Sequence, residues 1–392
     1  MKRLSILLLL IIVGINFVQA QEQVDTFEFF TVKANPVSSV KDQASSGTCW
    51  SFSLLGFLEA ELLRLGKPDY DLSPMFVVYK SYIDKADKYV RMHGATNFAG
   101  GGSFYDVIYC LKNYGIVPTA QMNGLNYGLP RHNHNELDKI LKSYVESLAK
   151  TEGAISTVWK KPFEAILQAY LGAPPTDFVV DGKHYSPETY AQSLNLNLDD
   201  YVSLTSFTHH PFYEKFVIEI PDNWRWSDSY NLPIDELMHV IDHAIKQGYT
   251  VAWASDVSER GFTRSGVGVV PETDLSNLPG SDQARWTGVS QRDIENQIYT
   301  ANAPRPEVKV TQQLRQQHFD NYKTTDDHGM LIYGIARDQN GARYYMVKNS
   351  WGITGNYKGI WYVSEAFVQL KTINIMVNKN SIPEVLRSKL GI

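Results

Sequence analysis

Cysteine is nearly absent from this sequence: 392 residues carry two, Cys49 and Cys110. Two cysteines close at most one disulfide, so the chain is no disulfide scaffold. Positive charge is not in excess either, since 37 Lys and Arg stand against 42 Asp and Glu. Nucleic-acid binding needs a basic face, and nothing here suggests one. Long apolar runs are missing except in "MKRLSILLLLIIVGINFVQA". There Leu4–Val18 is broken by Ser5, Gly14 and Asn16 and is short for a membrane span. Lys2 and Arg3 before it, and Val18 and Ala20 after it, have the layout of a secretory signal peptide. Cleavage is expected after Ala20, giving an exported protein, periplasmic or secreted, without stable membrane insertion. Repeats and low-complexity tracts are also absent. What remains is 43% hydrophobic and 12% aromatic, enough for one large domain or two lobes with real cores.

The first half reads as helical. Apolar residues at Trp50, Leu54, Phe57, Leu58, Leu62 and Leu65 have helical spacing, with Ser51, Glu59, Glu61 and Arg64 on the other face. Further helices are expected over Ser73–Arg91, Tyr105–Asn113, His134–Thr151 and Pro162–Leu171. From about Phe216 the runs "KFVIEIP", "YTVAWASDV", "GMLIYGIAR", "RYYMVKNSW" and "GIWYVSEAF" read as strands, with a helix at Ile234–Lys246. Leu275–Gln317 is polar and reads as a long loop or insertion. The expected organisation is α+β in two lobes with a cleft between them: 1–20 a signal peptide, 21–215 a helical lobe, 216–372 a β-rich lobe, and 373–392 a C-terminal arm.

The chemistry gathers around "QASSGTCWSF". A lone cysteine is more often a small buried hydrophobe than a nucleophile. Cys49, however, opens a helix, where free amides and the helix dipole favour an anion and lower a thiol pKa. Thiol acyl transfer also needs a base, a group that orients it, and oxyanion donors. His328 stands directly before a strand, in "DDHGMLIYGIA". Asn349 in "VKNSWG" has an amide that could fix the imidazole tautomer, with Trp351 beside it to exclude water. Gln43 could share the oxyanion with the Cys49 N–H. Taken singly, Asn349 is a turn cap, Gln43 a solvated loop residue and His328 a structural histidine; together they are not. Asp326 and Asp327 read as a solvated pair. A Cys49–Cys110 bridge stays open at this stage.

"QASSGTCWSF", "NFAGGGSFYDVIYCLKNYGIV" and "DDHGMLIYGIARDQNGARYYMVKNSWG" resemble the papain-like cysteine peptidases. That resemblance implies the papain-like two-lobe fold, with a helical left lobe and an antiparallel β-barrel-like right lobe. It implies Cys49 as nucleophile, His328 as base, Asn349 as orienter, Gln43 as oxyanion donor, and Gly101 and Gly102 as partners of the substrate backbone. Where ordinary papains carry a disulfide, this chain has Ser46 and Ala99. The long Cys49–His328 spacing, the short segment ahead of Cys49 and "DDH…KNSWG" resemble the bleomycin hydrolase / aminopeptidase C branch. The branch implies peptide substrates, a homo-hexamer, no cofactor, and a C-terminal arm "PEVLRSKLGI" whose Ile392 meets the substrate's amino end.

Three alternatives stand beside this one. A papain-like endopeptidase with an open cleft would share every motif. A non-catalytic peptide-binding protein would keep the fold. A zinc enzyme is opposed by the His239–His243 pair, which has Val240 where a zinc peptidase needs Glu. His132/His134 and His209/His210 are polar-loop pairs, and no metal is expected.

Overall fold

The computed structural model describes residues 26–277, 288–300 and 302–392. The expected signal peptide, 1–20, and part of the Leu275–Gln317 segment lie outside the described residues.

Helix α1, Cys49–Arg64, forms where the apolar spacing placed it but is buried on nearly every side. Its expected polar face is enclosed because each acid finds partners. Glu59 accepts from Ser38 Oγ (2.5 Å), Lys41 Nζ (2.6 Å) and the Leu72 N–H (2.9 Å). Glu61 takes the Arg64 guanidinium (3.0 Å) and Asn378 Nδ2 (3.0 Å). A buried carboxylate is tolerated only with such pairing. Against α1 pack α2 (Pro74–Arg91) and α3 (Phe104–Tyr114), and α4 (Asn135–Ala149) and α5 (Lys160–Leu171) pack in turn on α2, each close to its sequence-based span. Ser73 caps α2 by accepting from the Phe76 N–H at 3.1 Å, and Pro74 supplies the pre-set first turn.

The strands build one ten-stranded sheet among the described residues. They are β1 (Phe29–Ala34), β4 (Tyr201–Thr205), β5 (Lys215–Val217), β6 (Asp228–Asn231), β7 (Val251–Ser255), β8 (Val267–Gly268), β9 (His328–Asp338), β10 (Arg343–Lys348), β11 (Ile360–Ser364) and β12 (Thr372–Asn378). A small hairpin of β2 (Phe178–Val180) and β3 (Lys183–Tyr185) stands apart. The order is β5-β6-β4-β12-β7-β9-β10-β11-β8, with β1 added on β9. The path is open, not barrel-like: its ends are strands of three and two residues, and β4–β6 and β11–β8 pair parallel. Helix α6, Ile234–Lys246, shares the second apolar core with Trp253, Trp361 and Phe367 on the far face of the sheet.

The lobes interleave rather than divide at 215 and 372. Strand β1 crosses from the N-terminal segment to pair with β9, and β12 runs between β4 and β7. Residues 373–378 are thus part of the sheet, not of an arm. The terminal "PEVLRSKLGI" folds as a helix, Glu384–Leu390, with Leu386 and Leu390 buried in the second core. Gly391, at φ +69°, ends that helix in the left-handed conformation glycine tolerates best.

The segment read as loop also folds, into helices Gln291–Thr300 and Gln312–Asp320. The second carries little apolar periodicity because polar contacts dock it. Buried Arg315 donates to the carbonyls of Ser206 (2.8 Å), Gln369 (3.0 Å) and Leu370 (3.3 Å). Among the described residues, no helix is long and apolar enough to cross a membrane.

Candidate active site

The loop ahead of α1 is pinned on both sides, which places Gln43. Its N–H donates to Ser350 O (2.8 Å) and its Oε1 accepts from Ser350 Oγ (2.6 Å). The Ser45 N–H donates to His132 O (3.0 Å), and the His134 N–H returns to Ser45 O (3.1 Å). Ala44 is held at φ +47° and Gly47 at φ +66°, so the turn into the helix is tight. Ser46 Oγ bonds Thr48 Oγ1 at 2.5 Å, where the resemblance has a disulfide cysteine. With Oε1 engaged, the Gln43 Nε2 makes no hydrogen bond among the described residues and stands near the start of α1. Cys49 and Cys110 are both free, so no bridge forms, and Cys110 is buried in α3.

His328 and Asn349 meet because β9 and β10 are the two arms of one antiparallel hairpin. Lys348 pairs with Leu331, so the residues flanking that end lie together. His328 Nε2 lies 2.7 Å from Asn349 Oδ1, which also accepts the Ser350 N–H at 2.7 Å. An acceptor on Nε2 puts the proton there and leaves Nδ1 free. Trp351 stacks on the imidazole, ring centroids 4.7 Å apart, and is braced edge-on by Trp361 and Phe262.

Gly329 brings the two lobes' groups together. A Cβ there would sit 2.7 Å from Ser53 Oγ and 3.4 Å from Trp50 Cα, so only glycine lets β9 approach α1 this closely. In consequence the Gly329 and Trp50 amides lie near enough to the Cys49 sulfur to pull its pKa down. A glycine directly after His328, inside a strand pattern, was the available signal for this approach.

The electrostatics run against the lowered thiol pKa expected at a helix start. Cys49 remains partly accessible, yet the protein around its sulfur, with the charges of Asp326 and Asp222, pushes the thiol up to about 12. Burial pulls His328 down to about 4, against the opposing pull of its Asn349 bond. Both shifts favour the uncharged forms of the two side chains. Of the two acids expected to be solvated, Asp327 is exposed and Asp326 is half-buried. Asp327 accepts from the Val257 (2.8 Å) and Ser258 (3.1 Å) amides and is raised to about 7, chiefly by burial. Burial and the charge of Asp222 hold Asp326 well above the usual carboxylate range.

Gly101 and Gly102 lie where only glycine fits. A Cβ on Gly102 would be 2.8 Å from the Trp50 indole, and one on Gly101 would be 2.0 Å from Asp222 Oδ2. Trp50 Nε1 donates to Gly100 O (3.0 Å), and buried Lys85 donates to the carbonyls of Ala99 (2.6 Å) and Gly101 (2.5 Å), so the run is rigid. Asp222, distant in sequence and carrying no motif, went unnoticed from sequence. A cleft of about 910 Å³ opens beside Trp351, between Asp42, Arg131, His132 and Phe262. Ile392 does not line this cleft. It packs on the second core and lines a separate cavity with Tyr105, Asn374 and Lys379, whose lining includes none of Cys49, His328 and Asn349.

Metal-type donors gather at another place. His209 Nε2 and His210 Nε2 each lie 3.1 Å from one oxygen of Glu219, and these three could hold a cation. Two imidazoles paired with one exposed carboxylate are equally satisfied without one.

Compared with known proteins, the chain matches the Peptidase C1-like family over residues 14–283 and 280–391. It is 23% identical to Aminopeptidase G of Lactobacillus delbrueckii subsp. lactis, covering 88% of this chain and 82% of that protein. It is 22% identical to Aminopeptidase C of Lactobacillus helveticus, covering 94% and 85%. The crystal structure of pepw from Lactobacillus rhamnosis superposes with a TM-score of 0.69 at 20% identity, over 92% of this chain and 84% of that one, which shows a shared fold.

Proposed function

We propose that this chain, which belongs to the Peptidase C1-like family of cysteine peptidases, is an aminopeptidase working through a Cys49 thioester. The observation that carries the reading is the His328–Asn349 bond, which leaves Nδ1 free next to Gly329, the residue at which β9 meets the start of α1. Nδ1 takes the Sγ proton as sulfur attacks the scissile carbonyl, so the two charges appear together and stabilise each other. The Cys49 N–H and Gln43 Nε2 hold the oxyanion. The imidazolium then protonates the leaving amine, and a water deprotonated by Nδ1 hydrolyses the thioester. Gly101 and Gly102 offer backbone to an extended substrate. The curated relatives named above, aminopeptidases by name, favour removal of N-terminal residues. Export after cleavage at Ala20 belongs to the same proposal.

The test is one short peptide with a free and with an acetylated amino end. An aminopeptidase hydrolyses the free form far faster, and equal rates refute that mode. Equal rates would instead favour an open-cleft endopeptidase.

The acid side of the pH profile is a second expectation. The base must be neutral, and a His328 pKa lowered to about 4 keeps it so at higher pH. kcat/KM should therefore persist on acidification and fall near pH 4. An acid limb near 6.5, the ordinary imidazole value, would contradict this burial of His328.

A further inference from the structure

We propose that Asp222 is the group that binds the protonated α-amine of the substrate. This rests on the aminopeptidase reading.

Asp222 sits in the turn between β5 and β6, part-exposed, with its carboxylate laid across Gly101. The place a Cβ of Gly101 would take is 2.0 Å from Oδ2 and 2.4 Å from Oδ1 and Cγ. An extended ligand running along Gly101 and Gly102 therefore meets this carboxylate where its backbone would continue. A chain that stops there, in an ammonium, gains an ion pair; one that continues must pass the carboxylate.

The carboxylate is also held yet incompletely partnered. Asn97 Nδ2 donates to Oδ1 at 3.2 Å, which fixes its direction. Oδ2 has no donor among the described residues. The nearest cation is Lys85, whose ammonium is engaged by the carbonyls of Ala99 and Gly101. Burial and the charge of Asp106 raise the Asp222 pKa, against the opposing pull of Lys85. A partly buried acid with like charges around it is costly, and an arriving ammonium offsets that cost. The site is near the reacting sulfur as well, since the charge of Asp222 acts on the Cys49 thiol. The recognised chemistry is a primary ammonium at the end of a peptide, in hydrogen-bond reach of a carboxylate and flanked by glycine backbone.

The experiment compares kcat/KM for one short peptide, free and acetylated at its amino end, in the wild type, Asp222→Asn and Asp222→Ser. Two variants are used because the loss of a part-buried acid changes packing differently in each; stoichiometric labelling of Cys49 by a thiol reagent reports an intact site. The wild type should prefer the free amine. In both variants kcat/KM for the free-amine peptide should fall by about 10–100-fold, and the preference should collapse. A wild type without preference sinks the aminopeptidase reading and this inference with it. A preference that survives in either correctly folded variant overturns the role of Asp222 alone. Loss of the preference on removing Gly391 and Ile392, with the Asp222 variants unaffected, would assign the amine to the C-terminus instead.

Discussion

Cys49→Ala should reduce peptide hydrolysis to background, a loss of roughly 10⁴–10⁶-fold in kcat, as when a nucleophile is removed from a catalytic unit. The fold should survive the change. Cys49 is the first residue of α1, alanine is the best helix former, and the neighbouring Gly329 and Trp50 amides do no more than lower the thiol pKa. Thermal unfolding should thus stay close to that of the wild type while turnover vanishes. Turnover retained by a Cys49→Ala protein would refute the thioester mechanism, because no other thiol is available: Cys110 is buried in α3.

Gln43→Ala is expected to cost about 10²–10³-fold in kcat with little change in KM, the usual effect of losing one oxyanion donor. The side chain acts in the transition state, when the carbonyl oxygen becomes charged, so ground-state binding should be nearly untouched. Alanine also removes the acceptor for Ser350 Oγ, so a second variant separates the two effects. Gln43→Glu keeps that acceptor while putting an oxygen where the donor stood. An equal or larger loss in Gln43→Glu identifies the donor as the source, whereas recovery of activity would mean that Gln43 serves only to hold the loop.

The groups expected to do chemistry were legible because their types are rare or specific. Cys49 is one of two cysteines, and His328 and Asn349 flank strand-like runs whose hairpin pairing follows from their alternation and length. The helices of the first lobe were legible for a similar reason, since apolar spacing records which face is buried. Glu59 and Glu61 show where that reasoning stops. Their burial depends on Lys41, Ser38, Arg64 and Asn378, partners brought in from other elements. Helix Gln312–Asp320 is the same case, docked by an arginine that donates to carbonyls rather than by an apolar stripe. The C-terminal residues were assigned to an arm by resemblance, while Leu386 and Leu390 bury themselves in the nearest core.

By itself the sequence determined the family and the reacting types: a thiol at a helix start, an imidazole before a strand, an amide after its partner strand. Tertiary structure alone decided how those groups are poised. Gly329 sets how near β9 comes to α1, and the surrounding protein pushes the thiol pKa up and the imidazole pKa down. Asp222 lies across Gly101 only because a turn after β5 folds back over the glycine run. Such juxtapositions come from groups far apart in the chain, and dielectric surroundings exist only once those groups are packed. Local periodicity carries no record of either.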